Sequence, residues 1–238
     1  MRSTRREFLG MGLKTGIGLG LITGAPGIVL ADSRRPVMTS GVMSGDLLAD
    51  RAMIWSRVDR PARMLLEIAD NPAFTGARTL QGPTALPATG MTAKLDVTGL
   101  AGADELHYRV RFAALGDERA LSDAVSGRFR LAGSASRDVR FVWSGDTVGQ
   151  GWGIDTARGG MTIYETMRQQ APDFFLHSGD TIYADGPLEE TVNLPGGEVW
   201  RNVMTLEKAK VAETLDEFRG QYAYNHLDEN LKRFNAEV

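Results

Sequence analysis

The chain contains no cysteine. That excludes disulfides, thiolate metal sites and a thiol nucleophile. It also has no strong charge of one sign: 27 Lys and Arg stand against 30 Asp and Glu, for a net charge of -3. With no basic run in the chain, there is no electrostatic case for a nucleic-acid-binding surface. Long hydrophobic runs are missing too, because the one extended apolar stretch, Met11 to Leu30, is Gly-rich and broken by Lys14 and Pro26. What remains is ordinary for a soluble globular protein, with 42% hydrophobic and 24% charged residues. A length of 238 residues suffices for one large domain or two small ones.

The first residues are informative. Ser3-Thr4-Arg5-Arg6-Glu7-Phe8-Leu9 sets two adjacent arginines before the apolar stretch, and Val29-Leu30-Ala31 ends it with a small residue ahead of polar Asp32. A charged start, an apolar middle and an A-x-A-like end read as an export signal over residues 1–31, cleaved after Ala31. The pair Arg5 and Arg6 points to the twin-arginine route, so that export machinery is an expected partner and the periplasm or exterior the expected location. The glycines weigh against a membrane anchor, and no stable span is expected after processing.

From residue 36 to 132 the chain reads as short strands divided by Gly and Pro. The runs are Ala52–Val58, Met64–Ile68, Thr92–Val97, His107–Phe112 and Gly127–Leu131. In the fourth run His107, Arg109 and Arg111 alternate with Tyr108, Val110 and Phe112, which assigns one face to water and one to a core. Strands at this spacing without a convincing helix predict an N-terminal β-sandwich. The stretch from Val97 to Tyr108 resembles the tyrosine-corner segment of fibronectin type III domains.

The pattern changes after Gly133-Ser134-Ala135-Ser136, and residues 138–238 read as α/β. Val139–Trp143 is an apolar strand ending in Ser144-Gly145-Asp146; a Gly-rich loop and a helix over Met161–Gln170 follow. Phe174–His177 is a second strand, ending in Ser178-Gly179-Asp180. This is a βαβ unit with a parallel pair. A helical tail is expected to be capped by Thr205 and to turn Leu206, Val211, Leu215, Phe218 and Tyr222 inward, with Leu227, Leu231 and Phe234 continuing the habit.

Ligands of open α/β sheets bind beyond the carboxyl ends of the strands, where both Asp146 and Asp180 fall. Two adjacent carboxylates repel each other unless a cation or a proton lies between them, and hard oxygen donors suit a di- or trivalent metal. The glycine before each Asp lets the backbone turn and approach the ion. The tripeptide alone is not specific: Ser44-Gly45-Asp46 lies within the β-domain and reads as a turn.

Gly179-Asp180-Thr181-Ile182-Tyr183 carries a G-D-x-x-Y pattern that resembles calcineurin-like metallophosphoesterases, in the branch holding purple acid phosphatases and the alkaline phosphatase D family. The resemblance implies Asp180 as a metal bridge, Tyr183 as a ligand of iron (Fe3+), and Asp146 in the first ligand position, where some relatives have Cys. A divalent metal, calcium, is the second implied cofactor, and a phosphate ester the implied substrate. Export signal, β-sandwich and phosphoesterase segment, with Gly41–Asp46 and Ala52–Arg57 at the sandwich opening, match the alkaline phosphatase D family in particular. That family continues into W-D-D-H-E and later histidine motifs beyond the point where this sequence stops, so the α/β domain is expected to be incomplete and inactive alone. The histidines present do not replace them: His107 is expected at the surface, His177 packing below the site and His226 solvated or capping. Asp155, Arg158 and Asp185 are rim candidates. The competing reading is an exported, non-catalytic β-sandwich binding module with a degenerate phosphoesterase appendage.

Overall fold

The computed structural model describes residues 35–100, 105–133 and 137–238. Arg5, Arg6 and the processing site after Ala31 therefore lie outside the described residues.

Eight strands build the sandwich. One sheet joins β1 (Met38–Gly45), β2 (Arg51–Val58) and β5 (Thr92–Thr98) in the order β1-β2-β5. The other holds β3 (Ala62–Ala69), β4 (Arg78–Ala85), β6 (Glu105–Ala114), β7 (Asp117–Leu121) and β8 (Val125–Arg130). Its order is β4-β3-β6, with β7 and β8 both pairing to β6, and every pairing in the two sheets is antiparallel. Strict alternation decides which side chains face inward: Ala52, Ile54 and Val58 from β2, Met64 and Leu66 from β3, and Tyr108, Val110 and Phe112 from β6. Each large apolar side chain removed from water here stabilises the fold by about 1.5–3 kcal/mol.

Three strands, β1, β4 and β7, lacked a clear sequence signal. Gly82-Pro83 reads as a turn, yet it lies within β4, an edge strand where a missing N–H does no harm. Gly82 is there because Met64 of β3 leaves a side chain almost no room. In β1, Gly41 at φ +69° sits where the register with β2 shifts, between Met38 and Val42. The tyrosine-corner expectation is corrected. Among the described residues the buried Tyr108 hydroxyl has no hydrogen-bond partner, and it faces Ser44.

The second part carries the predicted βαβ unit. Strands β9 (Phe141–Ser144) and β10 (Phe174–His177) pair in parallel, Phe141 opposite Phe174 and Ser144 opposite His177, with helix α1 (Thr162–Arg168) between them in sequence. A hairpin of β11 (Thr191–Asn193) and β12 (Val199–Arg201) follows, then α2 (Leu215–Asn225) and α3 (Glu229–Glu237). Ile154, Met161, Tyr164, Tyr224, Leu231 and Phe234 form a second core under Val142 and Phe175. Helix α3 belongs to both cores, giving Phe234 to this one and Ala236 to the sandwich, where Gly127 of β8 makes room for the Ala236 carbonyl and Tyr108. Arg128 of β8 and Arg168 of α1 both pair with Glu237 across that seam.

Two apolar surfaces stay open. Parallel strands are normally covered on both faces, yet Phe141, Trp143, Phe174 and Leu176 are 54%, 65%, 44% and 50% exposed. The tail departs further from expectation. Residues 202–213 form no regular helix, and α2 begins only after Thr214, which caps it reciprocally with Glu217. Leu206, Val211, Leu215, Phe218 and Tyr222 all point to solvent, as does Leu227, while Gln221, Tyr224 and Asn225 face inward. The inward side chains answer buried polar backbone: Gln221 donates to Glu207 O at 2.7 Å and Tyr224 to Val203 O at 2.9 Å. An irregular segment packed beneath a helix needs donors, and an apolar stripe has none.

Candidate metal centre

The two Ser-Gly-Asp corners leave the parallel strands side by side. Ser178 N donates to Ser144 O at 3.1 Å, and Thr147 N to Asp180 O at 2.9 Å. Gly179 is required by this contact: a Cβ there would fall on Asp146 Oδ1 and the Gly145 carbonyl. Gly145 faces open space, so its expected role in close approach does not apply.

The close corners bring Asp146, Asp180 and Tyr183 together. Asp180 N donates to Asp146 Oδ1 at 2.9 Å and Tyr183 OH to Asp146 Oδ2 at 2.8 Å. The Asp180 N–H, and after it the Tyr183 hydroxyl, hold the Asp146 carboxyl below the usual carboxylate range. The same hydrogen bond, reinforced by some burial and by the charges of Asp146 and Asp180, pushes the Tyr183 phenol up to about 12. The proton shared between Tyr183 and Asp146 marks the place where a cation would substitute for it. Two carboxylates and a phenol form a hard-oxygen set that fits a hard di- or trivalent cation. Asp146 Oδ2, Asp180 and Tyr183 would hold it, while Asp146 Oδ1 stays committed to the backbone. Among the described residues no group of three or more Asp, Glu or His gathers around one point, so the set has no histidine member.

The rim candidates separate. Asp185 accepts from Gln150 Nε2 at 3.1 and 3.0 Å, tying the two loops after the strands to each other. Asp155 is 2% exposed and serves the backbone: it caps the short turn Thr156–Arg158 and takes Arg201 N at 2.9 Å. Those amide donors, Arg201 first, hold its carboxyl low, and it is no rim residue. Arg158 pairs with Glu198 at 2.8 Å and lies over the Trp200 ring. Asp46 behaves as a turn residue, at φ +51° and paired with Arg51 at 2.9 Å.

His177 packs edge-on to Phe175 and meets Thr147 Oγ1 at 3.3 Å, below the corners as expected. His107 is half-buried beside Glu105 at 3.5 Å. His226 is neither solvated nor an N-cap. It ends α2, tilted against Trp55 of β2 at 5.3 Å, because that indole offers it an apolar face. Sequence reasoning missed Lys208 and Asn225, which reach the loop behind Asp180 from far along the chain.

The chain matches the family model described as PhoD-like phosphatase over residues 141–238, and that described as PhoD-like phosphatase, N-terminal domain, over residues 24–133. It is 24% identical over 253 aligned positions to alkaline phosphatase D of Bacillus subtilis (strain 168), covering 98% of this chain and 40% of that protein. A solved structure of PhoD superposes with a TM-score of 0.62 at 25% identity, over 84% of this chain and 37% of that one. The chain thus spans about two fifths of the length of the relatives it matches.

Proposed function

This chain belongs to the PhoD-like phosphatase family, and on that premise we propose that it carries the first half of the metal centre of an exported phosphoric ester hydrolase. The observation that supports this reading is the Asp146–Tyr183–Asp180 cluster at two adjacent strand ends. Residues 36–132 serve as its β-sandwich domain and residues 138–238 as the first part of its catalytic domain, behind a twin-arginine signal. Among the described residues no helix is long and apolar enough to cross a membrane.

Bound metal ions would lower the pKa of a water and neutralise phosphoryl charge. The chain's own groups prepare that position. Asp180 N–H fixes one oxygen of Asp146 and so aims the other at Tyr183. The raised phenol of Tyr183 keeps its proton near neutrality, and a cation must displace that proton to bind. Asp180, on its own strand end, supplies the second carboxylate. No side-chain nucleophile is required: Ser144 and Ser178 bond backbone and Trp143 around the corners. With one hard-oxygen cluster and no histidine in it, the chain alone is expected to bind a single ion and turn over little.

The test is the purified chain, loaded with iron(III) or calcium and assayed with chromogenic phosphate mono- and diesters. Bound metal in the wild type, lost in Asp180→Asn, is the expected result, with hydrolysis near background in both. Robust hydrolysis by Asp180→Asn would show the ligand set to be wrong, and a wild type that takes up no metal would favour the binding-module reading.

A further inference from the structure

We propose that Lys208 and Asn225 are positioning residues for the metal centre, holding the backbone from Thr181 to Ala184 so that Tyr183 meets Asp146. The proposal deepens the functional reading above and rests on it for the role of Tyr183.

The segment behind Asp180 has no helix or strand of its own, so its carbonyls need partners from elsewhere. They find them in one stretch of chain. Asn225 Nδ2 donates to Thr181 O at 2.8 Å, Lys208 Nζ to Tyr183 O at 3.3 Å and Ala212 N to Ala184 O at 3.0 Å. The tie is returned once, since Leu188 N donates to Lys208 O at 2.7 Å. Residues 181 to 188 are thereby gripped at four points, with Tyr183 near the middle.

Lys208 is the telling member. It is 7% exposed, and among the described residues no carboxylate lies within ion-pair distance of it. Its ammonium has the Tyr183 carbonyl on one side and the Tyr224 ring, 5.1 Å away, on the other. Burying an ammonium with so little compensation is costly, and a methionine of similar length would fill the same space without that cost. Stability therefore does not account for a lysine here. What it adds over an apolar side chain is a donor aimed at the Tyr183 backbone. Asn225, 5% exposed at the end of α2, supplies the matching donor two residues earlier. The polar inward face of α2 and the buried lysine are then one device, a scaffold that fixes where the phenol sits.

Hydrogen exchange on the metal-free chain tests the clamp directly. In Lys208→Met and Asn225→Leu, the two amides that donate across the clamp, Leu188 and Ala212, should lose protection by tenfold or more while those of β2, β3 and β6 keep theirs. Lys210→Met, two residues away on a surface pair with Glu217, should leave both amides unchanged. The second readout is the visible absorption of an iron(III)–tyrosinate contact and the affinity for iron, with Tyr183→Phe defining the blank. Displacing a ligand's support typically weakens binding 10- to 100-fold, and Lys208→Met should fall within that range. Unchanged exchange at Leu188 and Ala212 in both variants overturns the proposal. Loss of protection combined with a wild type that shows no tyrosinate band upholds the clamp and refutes the metal reading instead.

Discussion

Lowering the pH from 7 to 5 should destabilise this protein through one side chain. His226 closes α2 against Trp55, with its Nδ1 buried and unbonded. Burial is the main reason its pKa falls from 6.5 to about 4, and the positive charges of Lys232 on α3 and Arg57 on β2 lower it further, against a hydrogen bond to the Ser40 backbone that raises it. The unfolded chain thus takes up the proton first. The stability held by the neutral imidazole is complete above pH 6.5 and drains away as the pH falls towards 4. At about 1.4 kcal/mol per pK unit the full effect is about 3 kcal/mol, of which about 2 kcal/mol is gone by pH 5. For a chain of this size, 2 kcal/mol lowers Tm by about 4–8 °C. Glu165 and Glu217, held near 2 by their pairs with Arg168 and Lys210, stay ionised throughout that window and do not contribute. Urea denaturation at pH 7, 6 and 5 reads the loss. His226→Phe keeps an aromatic ring against Trp55 and has nothing to protonate, so its stability should change by less than about 0.5 kcal/mol over the same range. An equal drop in wild type and variant would refute the argument.

Gly179→Ala forces a methyl onto Asp146 Oδ1 and the Gly145 carbonyl. The corners must separate, at a cost of about 1–3 kcal/mol. Tyr183 then loses its acceptor, and its titration, followed by absorbance near 295 nm, should fall from about 12 towards the ordinary 10. Gly145→Ala enters open space and should be silent in both assays; equal effects at the two glycines would mean the corners are not in contact. The open face of β9 and β10 should make the chain self-associate with concentration. Phe141→Thr with Leu176→Thr, both half exposed, should suppress that in sedimentation velocity and leave Tm within a few degrees of wild type. Unaltered association would place the contact elsewhere.

Much of the fold was legible because short-range rules carried it. The alternation read in the run His107–Phe112 is the burial pattern of β6. Burial alternates along β2 and β3 as well, until Ala69 at the end of β3 and Ala113 near the end of β6. The parallel pair announced itself through two apolar runs, each ending in Ser-Gly-Asp. β4 was hidden because Gly82-Pro83, a turn by composition, is acceptable on an edge strand. Asp155 was misplaced although its signal was present. An Asp followed by Thr156-Ala157-Arg158 and two glycines at positive φ is a capped turn before it is a ligand.

The tail failed for a deeper reason. Apolar periodicity assigns a helix face on the assumption that the neighbour offering burial is itself apolar. Here the neighbour is irregular backbone, so the face that offers donors wins and Leu215, Phe218 and Tyr222 are left outside. The same inversion explains why the ligand candidates could be read and their support could not. Asp146, Asp180 and Tyr183 sit at strand ends, a position fixed by local pattern. Lys208 and Asn225 reach their carbonyls across 25 and 44 residues, and nothing in their own neighbourhoods in sequence points to that contact. A buried lysine without a carboxylate becomes visible as a positioning group only once the backbone it faces is known.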